Sequence, residues 1–245
     1  QAMFAGESVL DELAQALGLD PIDLRLLNAA KEGSRATYGP KFKKIGFIEC
    51  LQAAKSHPHY SQPLGANQGR GVAAGFWFNA GNNSSAEVHV AESGMIQIVE
   101  GSPDIGGSRA AMAIMAAEKL QIPYERIKVR IGDTQSTGFC NTTGGSRTTF
   151  ATGMAVINAC DDIINQLKGR AALTWGIEAD QVDWHNGSAH PKPGINVDAP
   201  PLTLAKLARA FPKTGGPISA RASLNAQGPG PSFAVNLCDV EIDPD

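Results

Sequence analysis

Two glycine-rich segments carry the residue types that could bind an anionic ligand. The first reads Gly-Ser-Pro-Asp-Ile-Gly-Gly-Ser-Arg over residues 101–109, and the second reads Asn-Thr-Thr-Gly-Gly-Ser-Arg-Thr-Thr over residues 141–149. In each, two glycines let the backbone come close to a ligand. Ser108 and Arg109 could add hydrogen-bond donors in the first loop, and the second loop carries several hydroxyls. Both segments are therefore candidate binding loops for an anionic group.

Each glycine loop precedes a predicted helix, whose unpaired N–H groups and positive dipole end favour a negative charge. The alternative interpretation is ordinary helix capping, with Ser108 as the N-cap of the first helix. Local chemistry alone favours capping. Two such loops, about a helix and a strand apart, could however converge on one anionic group, so both interpretations stay open.

Other binding and catalytic motifs find little support. Neither loop matches the phosphate-binding G-x-x-x-x-G-K-[ST] pattern, and no G-x-G-x-x-G follows a predicted strand. The five histidines lack metal-ligand spacing, and the four cysteines contain no C-x-x-C pair. Cys140 lies beside the second loop, where a structural role is favoured over a reactive one.

The elements that must position these loops follow from the spacing of the apolar residues. The first 33 residues are predicted to be helical: Gly18 ends one helix, and Asp20 and Pro21 begin the next as N-cap and first helical residue. A third helix is predicted over 46–55. These helices make up a helical segment, residues 1–68.

An α+β domain is predicted over residues 69–245. Strands are expected at 69–79, 85–91, 95–99, 127–131, 219–225 and 233–242, and helices at 108–120, 146–167 and 202–211. Ser93 and Gly94 form a tight hairpin turn between the second and third strands. Helices and antiparallel hairpins without a regular βαβ alternation predict an α+β fold, with mixed or antiparallel sheets and packed helices.

Composition and charge limit the class of protein. The chain has 245 residues, 42% of them hydrophobic, which is enough for a large core. Its formal charge of −3 has no block of one sign, so neither nucleic-acid binding nor a polybasic membrane patch is supported. No apolar run is long enough to span a bilayer, and the irregular cysteines are typical of reduced thiols in a cytoplasm. Both ends are interpreted as cuts through a longer protein.

With these loops, the sequence resembles the molybdopterin-binding subunit of the xanthine oxidase/aldehyde oxidase family, which includes carbon monoxide dehydrogenase. The resemblance runs almost end to end and in the family's order. It is carried by residues 1–5, 10–14, 17–21, 101–109, 122–127, 132–134, 143–146 and 240–244, together with Arg25, Asn28, Glu32 and Gly33. Each piece is weak alone, but the ordered combination is specific.

The resemblance implies part of a molybdenum hydroxylase that oxidises an aldehyde, an N-heterocycle or a similar small substrate, with water as the oxygen source. It implies a molybdenum-molybdopterin cofactor, with the cytosine dinucleotide as one form, and FAD and 2Fe-2S clusters on iron–sulfur and flavin partner subunits. The cofactor-binding residues implied are Ile105, Gly106, Gly107, Ser108, Arg109, Thr143, Gly144, Gly145, Ser146 and Thr148.

Departures from the family pattern leave the activity of this chain open. Many members carry Gly-Gln-Gly in the first loop, whereas this chain has Gly106 and Gly107 in direct succession. The family's general-base glutamate and its other glutamine loop would lie outside residues 1–245, so no catalytic residue and no metal ligand is assigned, and the isolated chain is expected to be inactive. One alternative is a cofactor-free fragment or scaffold module. Another is an unrelated anion-binding or acyl-carrier-binding protein, which the end-to-end order of the motifs argues against.

Overall fold

The computed structural model describes residues 2–227 and 230–244, and it confirms the α+β class. Its helices are α1 Ala2–Leu17, α2 Pro21–Asn28, α3 Phe47–Ser56, α4 Pro58–Ser61, α5 Ser108–Leu120, α6 Gly153–Trp175, α7 Leu204–Arg209 and α8 Phe211–Thr214. Its strands are β1 Gln68–Trp77, β2 Asn82–Val90, β3 Ile96–Glu100, β4 Ile127–Ile131, β5 Val182–His185, β6 Ser188–Pro191, β7 Leu202–Thr203, β8 Ile218–Ala226 and β9 Ser232–Glu241.

The described chain divides into two compact units. The first consists of residues 2–79 and 230–244, and the second of residues 80–227. The first unit contains α1 to α4 with β1 and β9, so two strands belong with the N-terminal helices. The boundary expected between a helical segment 1–68 and an α+β domain 69–245 stays a prediction. The outermost residues of these two ranges, Gln1 and Asp245, lie outside the described part of the chain.

The first unit packs its helices on a two-stranded antiparallel sheet of β1 and β9, in which Gln68 is opposite Glu241. As predicted, α1 ends before Gly18, and Asp20 caps α2 by accepting hydrogen bonds from the N–H groups of Ile22 and Asp23. Helix α2 ends at Asn28 rather than near residue 33.

Carboxylates of α1 satisfy the outer edge of β1. Glu7 Oε2 accepts the Ala74 N–H at 2.7 Å, and Asp11 Oδ2 accepts the Val72 N–H at 3.0 Å. Arg25, 4% exposed, pairs with Glu7 and Asp11 and donates to the Val72 carbonyl. These contacts use backbone groups that would otherwise be open to another strand.

The second unit contains a four-stranded sheet in the order β4-β3-β2-β8. The predicted hairpin pairs β2 with β3 in antiparallel register, and β8 pairs with β2 in the same sense. Strand β4 is parallel to β3, which makes β3, α5 and β4 one βαβ unit that the sequence pattern did not predict. A separate three-stranded sheet has the order β5-β6-β7.

Helices α5 and α6 pack with the sheet to form the core of the second unit. Met112, Ala113 and Ala116 of α5 are buried in this core. The two helices approach closely at Gly153, where a Cβ would lie 2.4 Å from Met115 Sδ. A side chain at this position would therefore require Met115 to move.

The segments around α6 differ in detail from the sequence prediction. The helix predicted over 146–167 opens as a π-helical turn, Thr148–Thr152, and α6 continues to Trp175. The segment 202–211 contains β7 and α7, and α8 begins at Phe211. Residues 228 and 229, between the predicted strands 219–225 and 233–242, lie outside the described part. Within that part, no helix has the length and apolarity needed to cross a membrane.

Candidate cofactor-binding loops

The first glycine loop joins β3 to α5 and presents an open backbone surface. Gly106 and Gly107 adopt left-handed conformations, with φ of +63° and +81°. No atom lies within 4 Å of the position that a Cβ would take at either glycine. Neighbouring Ile105 is 65% exposed. The backbone at Gly106 and Gly107 is therefore open to a ligand.

An acidic side chain already interacts with the start of α5. Asp104 Oδ1 accepts the Arg109 N–H at 3.1 Å, and Asp104 Oδ2 accepts from Arg109 Nε at 2.6 Å. These contacts, the backbone hydrogen bond first, hold the pKa of Asp104 below its ordinary value. The interpretation of Ser108 as the N-cap is wrong, because Gly107 is the N-cap and Ser108 Oγ turns back to the Pro103 carbonyl and to Asp104.

The second glycine loop leads into the π-helical turn. Gly145 and Ser146 both have positive φ, and nothing lies within 4 Å of a Cβ position at Gly144. The Gly145 carbonyl accepts the Ala80 N–H at 2.9 Å. Thr148 Oγ1 donates to Thr143 Oγ1 at 3.4 Å. The loop thus combines an open glycine with clustered hydroxyl groups.

Arg147 anchors the second loop from within. Its side chain is 1% exposed and donates from Nε to the Gly81 carbonyl at 2.7 Å and from Nη1 to the Asn141 carbonyl at 2.9 Å. Nη2 donates to the Asn83 carbonyl at 2.6 Å and to Ser84 Oγ. Burial lowers the pKa of this guanidinium. Arg147 was not among the predicted site residues, and its burial has no local sequence signal.

The bases of the two loops are joined by a hydrogen bond. Ser102 Oγ of the first loop lies 3.0 Å from Thr152 Oγ1, at the end of the turn that follows the second loop. The start of the first loop also lies close to Cys140, which is next to the second loop. A Cβ built on Gly101 would be 3.4 Å from Cys140 Sγ. Cys140 is half-buried and donates to the Ser85 carbonyl at 3.5 Å. The two predicted loops are therefore neighbours within the second unit.

The donor set fits the organic part of a polar, anionic cofactor. Gly106, Gly107 and Gly144 present backbone without side chains, and Arg109 adds a half-exposed cation. Among the described residues, no three His, Cys, Asp or Glu side chains are grouped so that they could hold a metal ion.

Several other polar residues of the second unit are not among the proposed binding residues. Asp161 and Asp162 are exposed on α6, and Asp161 pairs with Lys119. His89 lies on β2 with Nε2 3.7 Å from Glu87. Glu100, which is fully buried at the end of β3, was not among the candidate residues predicted from the sequence.

Comparison with known proteins places the chain in a family. Residues 50–245 match the family model described as molybdopterin cofactor-binding domain. The match covers most of the chain, which therefore belongs to this family. It includes both glycine loops and the hydrogen bond between their bases.

Relatives of this chain are parts of molybdenum enzymes. It is 28% identical over 262 residues to the xanthine dehydrogenase molybdenum-binding subunit of Escherichia coli O157:H7, and it is 33% identical over 141 residues to the aldehyde oxidoreductase molybdenum-binding subunit PaoC of the same strain. The first alignment covers 99% of this chain and 35% of the relative, and the second covers 54% and 19%. The chain thus spans about a third of the first relative's length.

A solved structure shows the same fold. The Cu,Mo-CO dehydrogenase in its carbon monoxide reduced state superimposes with a TM-score of 0.78 at 20% identity. The alignment covers 98% of this chain and 35% of that chain. The similarity confirms the fold expected from the family resemblance.

Proposed function

We propose that this chain binds the molybdenum-molybdopterin cofactor of a molybdenum hydroxylase that oxidises an aldehyde, an N-heterocycle or a similar small substrate, with water as the oxygen source. The cofactor supplies the redox chemistry, and the protein binds and orients it. The observation that carries the proposal is the Ser102–Thr152 hydrogen bond, because it joins two open glycine loops within the span of the family match.

The proposed contacts come from both loops. Backbone N–H groups of the first loop and the Arg109 guanidinium would donate to anionic and polar atoms of the cofactor, and the hydroxyls of the second loop would add further hydrogen bonds. The residues proposed are Ile105, Gly106, Gly107, Ser108, Arg109, Thr143, Gly144, Gly145, Ser146 and Thr148. The catalytic base and the metal ligands are proposed to lie outside this chain.

The finer assignments concern the form of the cofactor and the partners. We propose the cytosine dinucleotide as one form, and partner subunits that carry 2Fe-2S clusters and FAD. The names of the relatives support this arrangement, since both are molybdenum-binding subunits rather than complete enzymes. A cytoplasmic location is proposed from the cysteines, all four of which are free thiols.

A cofactor-free scaffold module is the second candidate. It is favoured by the Asp104–Arg109 ion pair, which already uses the cation and the helix start that an anionic ligand would need. The first loop also lacks the residue between Gly106 and Gly107 that many family members have.

Gly144→Val tests cofactor binding at the second loop. We expect loss of most of the pterin and molybdenum, because the side chain would occupy space that is open in front of the loop and would keep the ligand from the backbone. Gly169→Val on α6 is the matched control, since its Cβ also meets nothing within 4 Å. The readouts are the fluorescence of oxidised pterin and metal analysis per chain, in the assembled protein.

Equal cofactor content in both variants would contradict the proposed contact. A wild-type assembly without pterin or molybdenum would favour the scaffold module.

A further inference from the structure

A chain of buried polar side chains connects the two glycine loops beyond the single hydrogen bond at their bases. Thr152 Oγ1 lies 3.0 Å from Ser102 Oγ and 3.1 Å from Ser84 Oγ. Ser84 Oγ in turn accepts from the Arg147 guanidinium. Ser84, Ser102 and Thr152 are each at most 1% exposed, so water does not compete for these contacts.

Glu100 lies next to Ser102, at the opposite end of this series of side chains from Arg147. It is 0% exposed, and its Oε2 accepts the Ser102 N–H at 2.5 Å. Oε1 is buried and has no hydrogen-bond partner among the described residues. Within the same part of the protein, no Lys, Arg or His forms an ion pair with this carboxyl group. An unpaired buried acid is costly, which calls for a functional explanation.

The Arg147 end is compatible with one continuous direction of the hydrogen bonds. A guanidinium can only donate, so Ser84 must accept from Arg147 and is free to donate to Thr152. Thr152 can then donate to Ser102, whose hydroxyl needs an acceptor at the far end. The Glu100 carboxyl lies next to Ser102 and is a strong acceptor.

We propose that Glu100 is a positioning residue for the cofactor-binding loops: it accepts the far end of a relay through Ser102, Thr152 and Ser84 to Arg147, so that the two loops keep one fixed relative geometry. This inference rests on the proposed function for its consequence, cofactor retention. The coupling itself concerns the second unit alone. Glu100 acts as an acceptor, and its charge is not required.

Hydrogen exchange in the full chain tests the coupling. The Asn141 N–H donates to the Asn83 carbonyl, which Arg147 also contacts, and the Ala151 N–H donates to the Arg147 carbonyl. In Glu100→Ala we expect both amides to exchange about tenfold faster or more, although neither touches Glu100. Glu100→Gln keeps an acceptor oxygen and is expected to retain wild-type exchange at both amides.

Matched variants separate coupling from general destabilisation. Ile98→Ala truncates another fully buried side chain of β3, and it is expected to leave the two amides no faster than the rest of the sheet. Thr152→Val breaks the relay without touching Glu100, and it provides the test if Glu100→Ala does not fold. Thr152→Ser keeps the hydroxyl and is expected to behave as wild type.

Cofactor content in the assembled protein gives the second readout. Pterin per chain is expected to fall in Glu100→Ala and Thr152→Val and to be restored in Glu100→Gln and Thr152→Ser. If the two amides in Glu100→Ala and Thr152→Val exchange no faster than in Ile98→Ala, or if Glu100→Gln is as impaired as Glu100→Ala, the inference is overturned. If wild type carries no pterin while exchange responds as expected, the coupling stands and the proposed function fails.

Discussion

At the scale of single residues, two carboxyl groups beside the first loop have opposite pKa shifts. The backbone and side chain of Arg109 hold the pKa of Asp104 below its usual value. Burial raises the pKa of Glu100, and this effect exceeds the lowering by its hydrogen bonds with Ser102. Nearby Asp104 raises it further. Ionisation therefore stabilises the fold at Asp104 and opposes it at Glu100.

The shift at Glu100 predicts a pH dependence of stability. A folded pKa raised above the ordinary 4.5 gives a stabilising contribution that is complete below 4.5 and is lost as pH rises through the folded pKa. Glu100→Gln cannot ionise, so the free energy of unfolding of wild type relative to this variant should fall as pH rises from about 4.5 to neutrality. Urea unfolding across this range measures it. A difference that does not change with pH would contradict the assignment.

At the scale of elements, the outer edge of β1 depends on side chains from α1 and α2. Arg25 is almost fully buried and contacts Glu7, Asp11 and the Val72 carbonyl, while the two acids accept amides of β1. The planar guanidinium of Arg25 thus joins two helices to a strand. A lysine could not make the same set of contacts, because its donors are all on one nitrogen atom.

Removing this arginine should weaken the first unit. For Arg25→Ala we expect a loss of about 2 kcal/mol in unfolding free energy, below the range for a fully buried pair because Glu7 and Asp11 remain partly exposed. Arg35→Ala is the control, since Arg35 is on the surface of the same unit and donates to the Gly39 carbonyl. Denaturant melts would measure both. Similar values for the two variants would show that the buried contacts contribute little.

At the scale of the whole molecule, the two units have cores of different size. The buried cluster of the first unit consists of Ile22, Leu51 and Val72 in the described part of the chain. The cluster of the second unit extends over β2, β3, α5 and α6 and continues to α7 and β8. Since stability follows the apolar area that a unit buries, the second unit should be the more stable.

Native-state hydrogen exchange can test this difference in one experiment. Amides of β1 and β9 in the first unit are expected to exchange through lower-energy openings than those of β2 and β3 in the second. Peptide-level mass spectrometry in low denaturant would resolve the two groups. A single opening energy for all four strands would mean that the whole chain unfolds as one cooperative body.

The sequence by itself determined the features that depend on neighbouring residues. The bounds of α5 and β4 and the cap of α2 agree with the predictions, because apolar periodicity and capping act over a few residues. The ordered motifs also gave the family, which the match over residues 50–245 confirms. The positions of the two glycine loops were predictable for the same reason.

The tertiary structure decided the features that depend on residues distant in sequence. Strand β4 pairs in parallel with β3 because α5 returns the chain across the sheet, and no local pattern specifies that pairing. Arg147 and Glu100 look like ordinary polar residues in the sequence, yet both are buried, with Arg147 bonded to carbonyls more than 60 positions away. Burial of a charged group depends on which elements fold over it, and only the assembled second unit determines that.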